Sequence, residues 1–354
     1  MNIAFNFMMC ITTKQFTRIN IIIVNSLIFA IYFSTAFTVI LSIVLFFFWL
    51  IEKKYSESLI EYKNNVATKW AMILFIYLAI GITYSTMNLH NAIFGLSKYR
   101  ELLLLFILPA FFRHEQLVKQ TWRSIIFLSL LTMIGSYAIY FGLIKPFQPY
   151  DPTIKSRITH SLFISFFAFY CLHQSWIVTR LRIVYLILFI ICVHNLFFIV
   201  SGRTGQLNFL GLMLLFSWQR LSIKQRIYGL IGLSLFCTIF MLFSDQAIRI
   251  IQGISEVKQF FTLSEQNTET SMGLRLTYWQ NAIDMIKDKP ILGHGTGSYV
   301  YHYLQSNHLM ISANPHNEYL MIMVQLGIVG LSIFLIYLYT QYKYSLRLID
   351  EYCW

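Results

Sequence analysis

Stretches of about 20 mostly apolar residues constrain this chain more than anything else in it, because that length carries a helix across roughly 30 Å of hydrocarbon. Inside a bilayer only helices and closed barrels satisfy their own backbone. Asn20–Leu50, Trp70–Met87, Ser124–Leu143, Thr159–Val178, Leu181–Val200, Ile227–Phe243 and Met321–Tyr339 are such stretches, and Gln206–Trp218 is a shorter one. The first is long enough for two short helices, parted at the weakly polar Ser34-Thr35. With 57% hydrophobic and only 12% charged residues among 354, a soluble domain would lack the polar surface to stay dispersed. The fold class expected is therefore all-α: a polytopic transmembrane helical bundle of about ten spans, and at most about twelve.

The organisation follows from where polarity returns. Residues 1–19 read as a cytoplasmic N-terminal tail, because Met1–Ile11 is too short to span, precedes Lys14 and Arg18, and lacks a small-residue cleavage site. Residues 20–244 form the membrane bundle, 245–316 one large outer loop with helices of its own, 317–342 a C-terminal membrane helix and 343–354 a second cytoplasmic tail. Lys145–Arg157, with Pro146, Pro149 and Pro152, reads as a small external loop. The formal charge of +12 is scattered between apolar segments, with no run that could track a phosphate backbone, so nucleic acid is not an expected partner. Placing the N-terminus inside puts the larger share of Lys and Arg on the inner side, as the positive-inside bias requires. Cys10, Cys171, Cys192, Cys237 and Cys353 show no CxxC or CxxH spacing and read as inert small hydrophobes. No fixed-period repeat and no inverted pair of broken helices points to a secondary transporter.

The chemistry concentrates on the outer side. Arg203 stands in Ser201-Gly202-Arg203-Thr204-Gly205, where the glycines permit a tight turn that leaves amides open to an anion. A guanidinium there can grip a phosphate through two hydrogen bonds, or serve as an interfacial anchor. Arg275 falls in Gly273–Ile286, whose apolar residues recur at helical spacing, which predicts a helix along the outer membrane face. It can point toward the site of Arg203 or be a solvated helix charge. Pro290 with Gly293, Gly295 and Gly297 reads as a helix stop and flexible turn in which His294 is structural. His316 is expected to begin the helix that re-enters the membrane, with Asn314 as cap and Pro315 in the first turn. Its imidazole can take a proton from a hydroxyl, and Glu318 can orient it or be structural. Arg100, beside Lys98 and Glu101 before an apolar run, either snorkels at the boundary or holds an anionic headgroup.

This set, completed by His316-Asn317-Glu318-Tyr319-Leu320 and Gln325-Leu326-Gly327-x-x-Gly330-Leu331, resembles the O-antigen ligase family of bacterial inner membranes. That superfamily also holds O-antigen polymerases and protein O-oligosaccharyltransferases. The resemblance is tight over roughly residues 195–335 and only a match of hydropathy before that. It implies a type-C membrane glycosyltransferase fold and an undecaprenyl-diphosphate-linked glycan as donor, with no nucleotide, metal or other cofactor. In the ligases the acceptor is a sugar of the lipid A–core. Carried over by position, Arg203 and Arg275 match the family's donor-diphosphate arginines and His316 its essential histidine. The chain departs from the pattern in having a single span after the outer loop, where many members have more.

Those residues make a coherent mechanism. Fixed cations meet the charge that develops on a departing diphosphate, and an imidazole opposite the leaving group activates the acceptor hydroxyl, so inversion is expected. The expectation is a ligase, acting at the inner membrane with its active site facing the periplasm among membrane lipids. A polymerase would be expected to carry a second large outer loop, and a protein O-oligosaccharyltransferase a longer C-terminal region. A transporter or flippase of lipid-linked glycan is the reading from another class; it would use the arginines but have no need of His316.

Overall fold

The structure, a computed structural model, describes residues 13–113, 115–147, 151–200, 202–262, 270–300 and 314–352. The tail Met1–Ile11, Cys10, Pro149, Ser201, Cys353 and two pieces of the outer loop, 263–269 and 301–313, lie outside the described residues. Among those described every long element is a helix. The helices are α1 (Thr13–Phe33), α2 (Thr35–Ile51), α3 (Tyr55–Asn64), α4 (Val66–Gly81), α5 (Leu89–Ser97), α6 (Glu101–Phe111) and α7 (Glu115–Tyr140). They continue as α8 (Arg157–Ile177), α9 (Arg182–His194), α10 (Arg203–Arg220), α11 (Ile223–Phe243), α12 (Asp245–Thr262), α13 (Ser271–Asp288) and α14 (Glu318–Tyr352).

Four of these segments are long and apolar enough to cross a membrane: Glu115–Tyr140, Thr179–Ile199, Ile223–Leu242 and Glu318–Leu346. A fifth is present if α2 and α3, bent by 101° at their junction, count as one span. Others expected as spans are short, as with α4 and α6, or carry polar groups on their packed face. His160, Ser161 and Ser165 of α8 and Gln206 of α10 are buried, which lowers the hydropathy of helices whose outer faces are apolar. Multi-pass membrane character therefore stands on the helices themselves, on a smaller number of unambiguous spans than about ten.

The chain divides into two compact units. The first comprises residues 1–45 and 114–252. In it α8 packs on both α9 and α10, and α1 on α7. Its core is Ile164, Phe167, Ala168, Cys171, Cys192, Leu196, Phe197 and Phe209, and Cys171 and Cys192 are buried there as small hydrophobes. Ser156 caps α8 and Ser222 caps α11, the latter with Gln225 in a reciprocal capping box.

The second unit comprises residues 46–113 and 253–354, and its frame is α4 against α14. α14 breaks at Gly327, where φ is 63° and ψ −162°. A break strands carbonyls before it and amides after it, and these need partners. The Pro290–Gly297 turn supplies them. Ile328 N–H donates to the Pro290 carbonyl at 2.9 Å, while His294 and Gly295 N–H donate to the Val324 and Gln325 carbonyls at 2.9 and 2.8 Å. The Gln325 side chain accepts from Gly297 N–H at 2.7 Å. On the other side of the turn, Thr296 N–H donates to the Gly81 carbonyl at the end of α4 at 3.0 Å. The turn expected to be flexible is a staple between two helices.

A Cβ at Gly327 would collide with the Ile291 carbonyl, at a backbone angle that other residues rarely adopt. Gly327→Ala is expected to cost about 2–5 kcal/mol, combining backbone strain with overpacking. The check is the thermal unfolding midpoint of the detergent-solubilised chain, which should fall by several degrees; an unchanged midpoint would contradict the staple.

Candidate active site

The second unit builds its site from two pieces, the start of α13 and the turn that leads into α14. Thr270 caps α13 by accepting from Gly273 N–H at 3.1 Å, and the helix predicted over Gly273–Ile286 is present. Its apolar stripe does not need a membrane face. Tyr278, Ala282, Met285 and Ile286 are buried against Tyr299, Met321 and Val324 of the chain itself. That packing fixes α13 on α14 and leaves Arg275, one turn before Tyr278, half-buried near the turn.

His316 does not begin the helix. α14 starts at Glu318, and Asn317 caps it, accepting from Tyr319 N–H at 3.1 Å and Leu320 N–H at 3.4 Å. Asn314, expected to be the cap, instead accepts from the His316 N–H at 2.7 Å, and Pro315 lies in the turn, outside the helix. His316 adopts φ 57°, a left-handed conformation that costs a non-glycine residue about 1–2 kcal/mol. Two anchors hold it there: the Asn314 bond, and Trp279 Nε1, which donates to the Pro315 carbonyl at 2.9 Å. The imidazole is exposed and tilted over Tyr278, with ring centroids 6.2 Å apart. Partial burial first, and the nearby Arg275 guanidinium second, hold it below the ordinary imidazole pKa. The imidazole thus faces outward from a strained turn, and partial burial and the nearby cation both favour its neutral form.

The other sequence candidates are placed as follows. Glu318 gives its carboxylate to the Tyr99 hydroxyl at 2.8 Å, and Tyr99 also accepts from Gln325 Nε2 at 3.1 Å. The Glu318–Tyr99 bond pins the start of α14 to the turn between α5 and α6. Burial, and after it the Glu318 carboxylate, raise the Tyr99 pKa, so the phenol stays the donor. Arg100 donates to the Ser97 carbonyl at 3.0 Å and pairs with Glu101 at 3.2 Å. His294 is buried and bonds the Met285 carbonyl at 2.8 Å, the structural part expected of it.

Arg203 belongs to the first unit, where it is the first residue of α10. Gly202 sits at φ −101°, so neither it nor Gly205 is there for a left-handed turn. A Cβ on either would strike Ser161 of α8, so the two glycines allow the helices to approach. The same contact brings Gly202 against the carbonyl of Arg157, the first residue of α8, whose guanidinium pairs with the buried Asp151 at 3.3 Å.

Comparison with known proteins bears on this segment of the chain. Residues 186–335 match the family model described as O-Antigen ligase. Over that segment the chain is similar to the O-antigen ligase family. The segment runs from α9 into α14 and contains Arg203, Arg275 and His316, while Arg100 and Arg157 lie before it. A Haemophilus influenzae protein whose name assigns no function is 30% identical over 92 residues, covering 24% of this chain and 23% of that protein. A provisionally named polysaccharide ligase of Rickettsia felis is 29% identical over 168 residues, 40% of each chain. The matched part therefore spans less than half the length of either relative. The O-antigen ligase match supports a function of the ligase or polymerase type in a membrane protein.

The turn around His316 also makes a prediction, read in an assay of the glycan transfer proposed below. Trp279→Phe keeps the ring and removes only the bond to Pro315, a change worth about 1 kcal/mol. Glycan-transfer kcat is expected to fall about five-fold with KM within two-fold. A loss confined to KM, measured in steady-state transfer, would contradict a positioning role.

Proposed function

We propose that this chain is an O-antigen ligase-type glycosyltransferase that moves a glycan from undecaprenyl diphosphate to a hydroxyl of a lipid A–core acceptor at the periplasmic face of the bacterial inner membrane. The observation that carries the reading is the exposed His316, held in a strained turn and kept below the ordinary imidazole pKa by partial burial and then by the Arg275 guanidinium. His316 takes the acceptor's hydroxyl proton as that oxygen attacks the anomeric carbon. The bond from that carbon to the diphosphate breaks, and its electron pair leaves on the diphosphate oxygen. Arg275 meets that charge. Attack opposite the leaving group inverts the anomeric centre. Polymerisation, with a second lipid-linked glycan as acceptor, would use the same groups.

The pH dependence of transfer tests the role of His316. A general base works only when unprotonated, so activity is lost as pH falls through its pKa. Because that pKa lies below the ordinary value, the acid limb should have its midpoint under about 6.5. The residual activity of Arg275→Gln, with the neighbouring cation gone, should show the limb moved upward. A limb above pH 7, or one that Arg275→Gln leaves in place, would contradict the pairing.

A further inference from the structure

We infer that the first unit holds an anionic phospholipid of the inner leaflet, with one acyl chain lodged between α8, α9, α10 and α11 and its phosphate at the basic end of those helices. A cavity of about 370 Å³ lies there, lined by Phe189, Val193, Phe209, Met213 and Phe236 among others, with Gly229 of α11 on its wall. From Phe209 to Leu221 the lining follows α10 for about three turns, roughly 18 Å by helical rise, which suits a chain more than a compact ligand. The neighbouring surface of α11 is apolar and exposed, with Leu230 at 53%, Ile231 at 60% and Leu235 at 60%, so the cavity adjoins a face made for hydrocarbon.

Charge at one end identifies the headgroup. The short connections after α8 and after α10, together with the helix ends that flank them, carry Arg180, Arg182, Arg220, Lys224 and Arg226. Arg226 is built onto the rim: its guanidinium donates to the carbonyls of Ser217 at 3.2 Å and Leu221 at 2.9 Å, both residues that line the cavity, and lies over the Trp218 ring. Between Asp151 and Asp245 the sequence contains no acidic residue, so the local charge at this end is positive. An amphiphile with an anionic head and an apolar tail matches both halves of the site, and basic pockets between membrane helices on the cytoplasmic side are where such lipids bind.

Native mass spectrometry of the full chain, titrated with phosphatidylglycerol or phosphatidylcholine of matched acyl chains, tests this. Wild type should retain one phosphatidylglycerol at least about five-fold more strongly than phosphatidylcholine. Gly229→Phe fills the cavity, where a Cβ would meet only Leu221 at 3.7 Å, and should lose that lipid with an unchanged melting midpoint. Arg220→Gln with Lys224→Gln should keep a bound lipid but bring the two headgroups to within about two-fold. Equal retention of both lipids by wild type, undiminished phosphatidylglycerol in Gly229→Phe, or displacement of the lipid by stoichiometric undecaprenyl phosphate would each overturn the inference, the last assigning the cavity to a prenyl chain.

Discussion

His316→Ala is expected to lower the rate of glycan transfer by about 10³-fold, the middle of the range for a positioned general base, and to leave donor affinity within about two-fold. The separation of these effects is the point. The imidazole faces outward from a turn held by Asn314 and Trp279, so its removal should leave both anchors and the start of α14 in place. On the proposed role it contributes the proton transfer and little to ground-state binding. The assay uses purified lipid-linked donor, with donor binding measured separately. Full transfer in the variant would remove the catalytic role and favour a transporter of lipid-linked glycan, which would have no use for a base.

Arg275→Ala should act on both quantities. Charge-assisted hydrogen bonds contribute about 1.5–3 kcal/mol each, so donor affinity should fall about 10- to 100-fold. Turnover should fall further, by about 10²–10³, because the diphosphate gains charge as it leaves. Arg275→Lys should recover part of the affinity but less of the turnover, since an ammonium cannot reproduce a two-point grip. Normal donor affinity in Arg275→Ala would contradict its assignment as a diphosphate ligand.

Much of this was legible along the chain because helical periodicity and apolar length are local properties. The helix over Gly273–Ile286, the parting of α1 from α2 at Ser34 and the hydrophobic burial of Cys171 and Cys192 were all read from neighbours within a few turns. Non-local contacts were not legible. Gly327 sits in an apolar run that reads as uninterrupted helix, and its break becomes necessary only because the Pro290–Gly297 turn docks there. Glu318 could not be separated from a catalytic partner, because Tyr99 is far away in sequence. At the start of α14, Asn314 and Asn317 are both good caps by residue type, and the left-handed His316 between them decides which one serves. The glycines around Arg203 are explained by Ser161 of another helix, which no reading of the motif alone supplies.

The most direct measurement is transfer by the purified full chain in proteoliposomes, given an undecaprenyl-diphosphate glycan and a lipid A–core acceptor, with the product linkage read by nuclear magnetic resonance. The expected result is a glycosylated acceptor of inverted anomeric configuration, formed only when donor and acceptor are both present. Glycan that stays on its prenyl carrier while the carrier changes leaflet would contradict it.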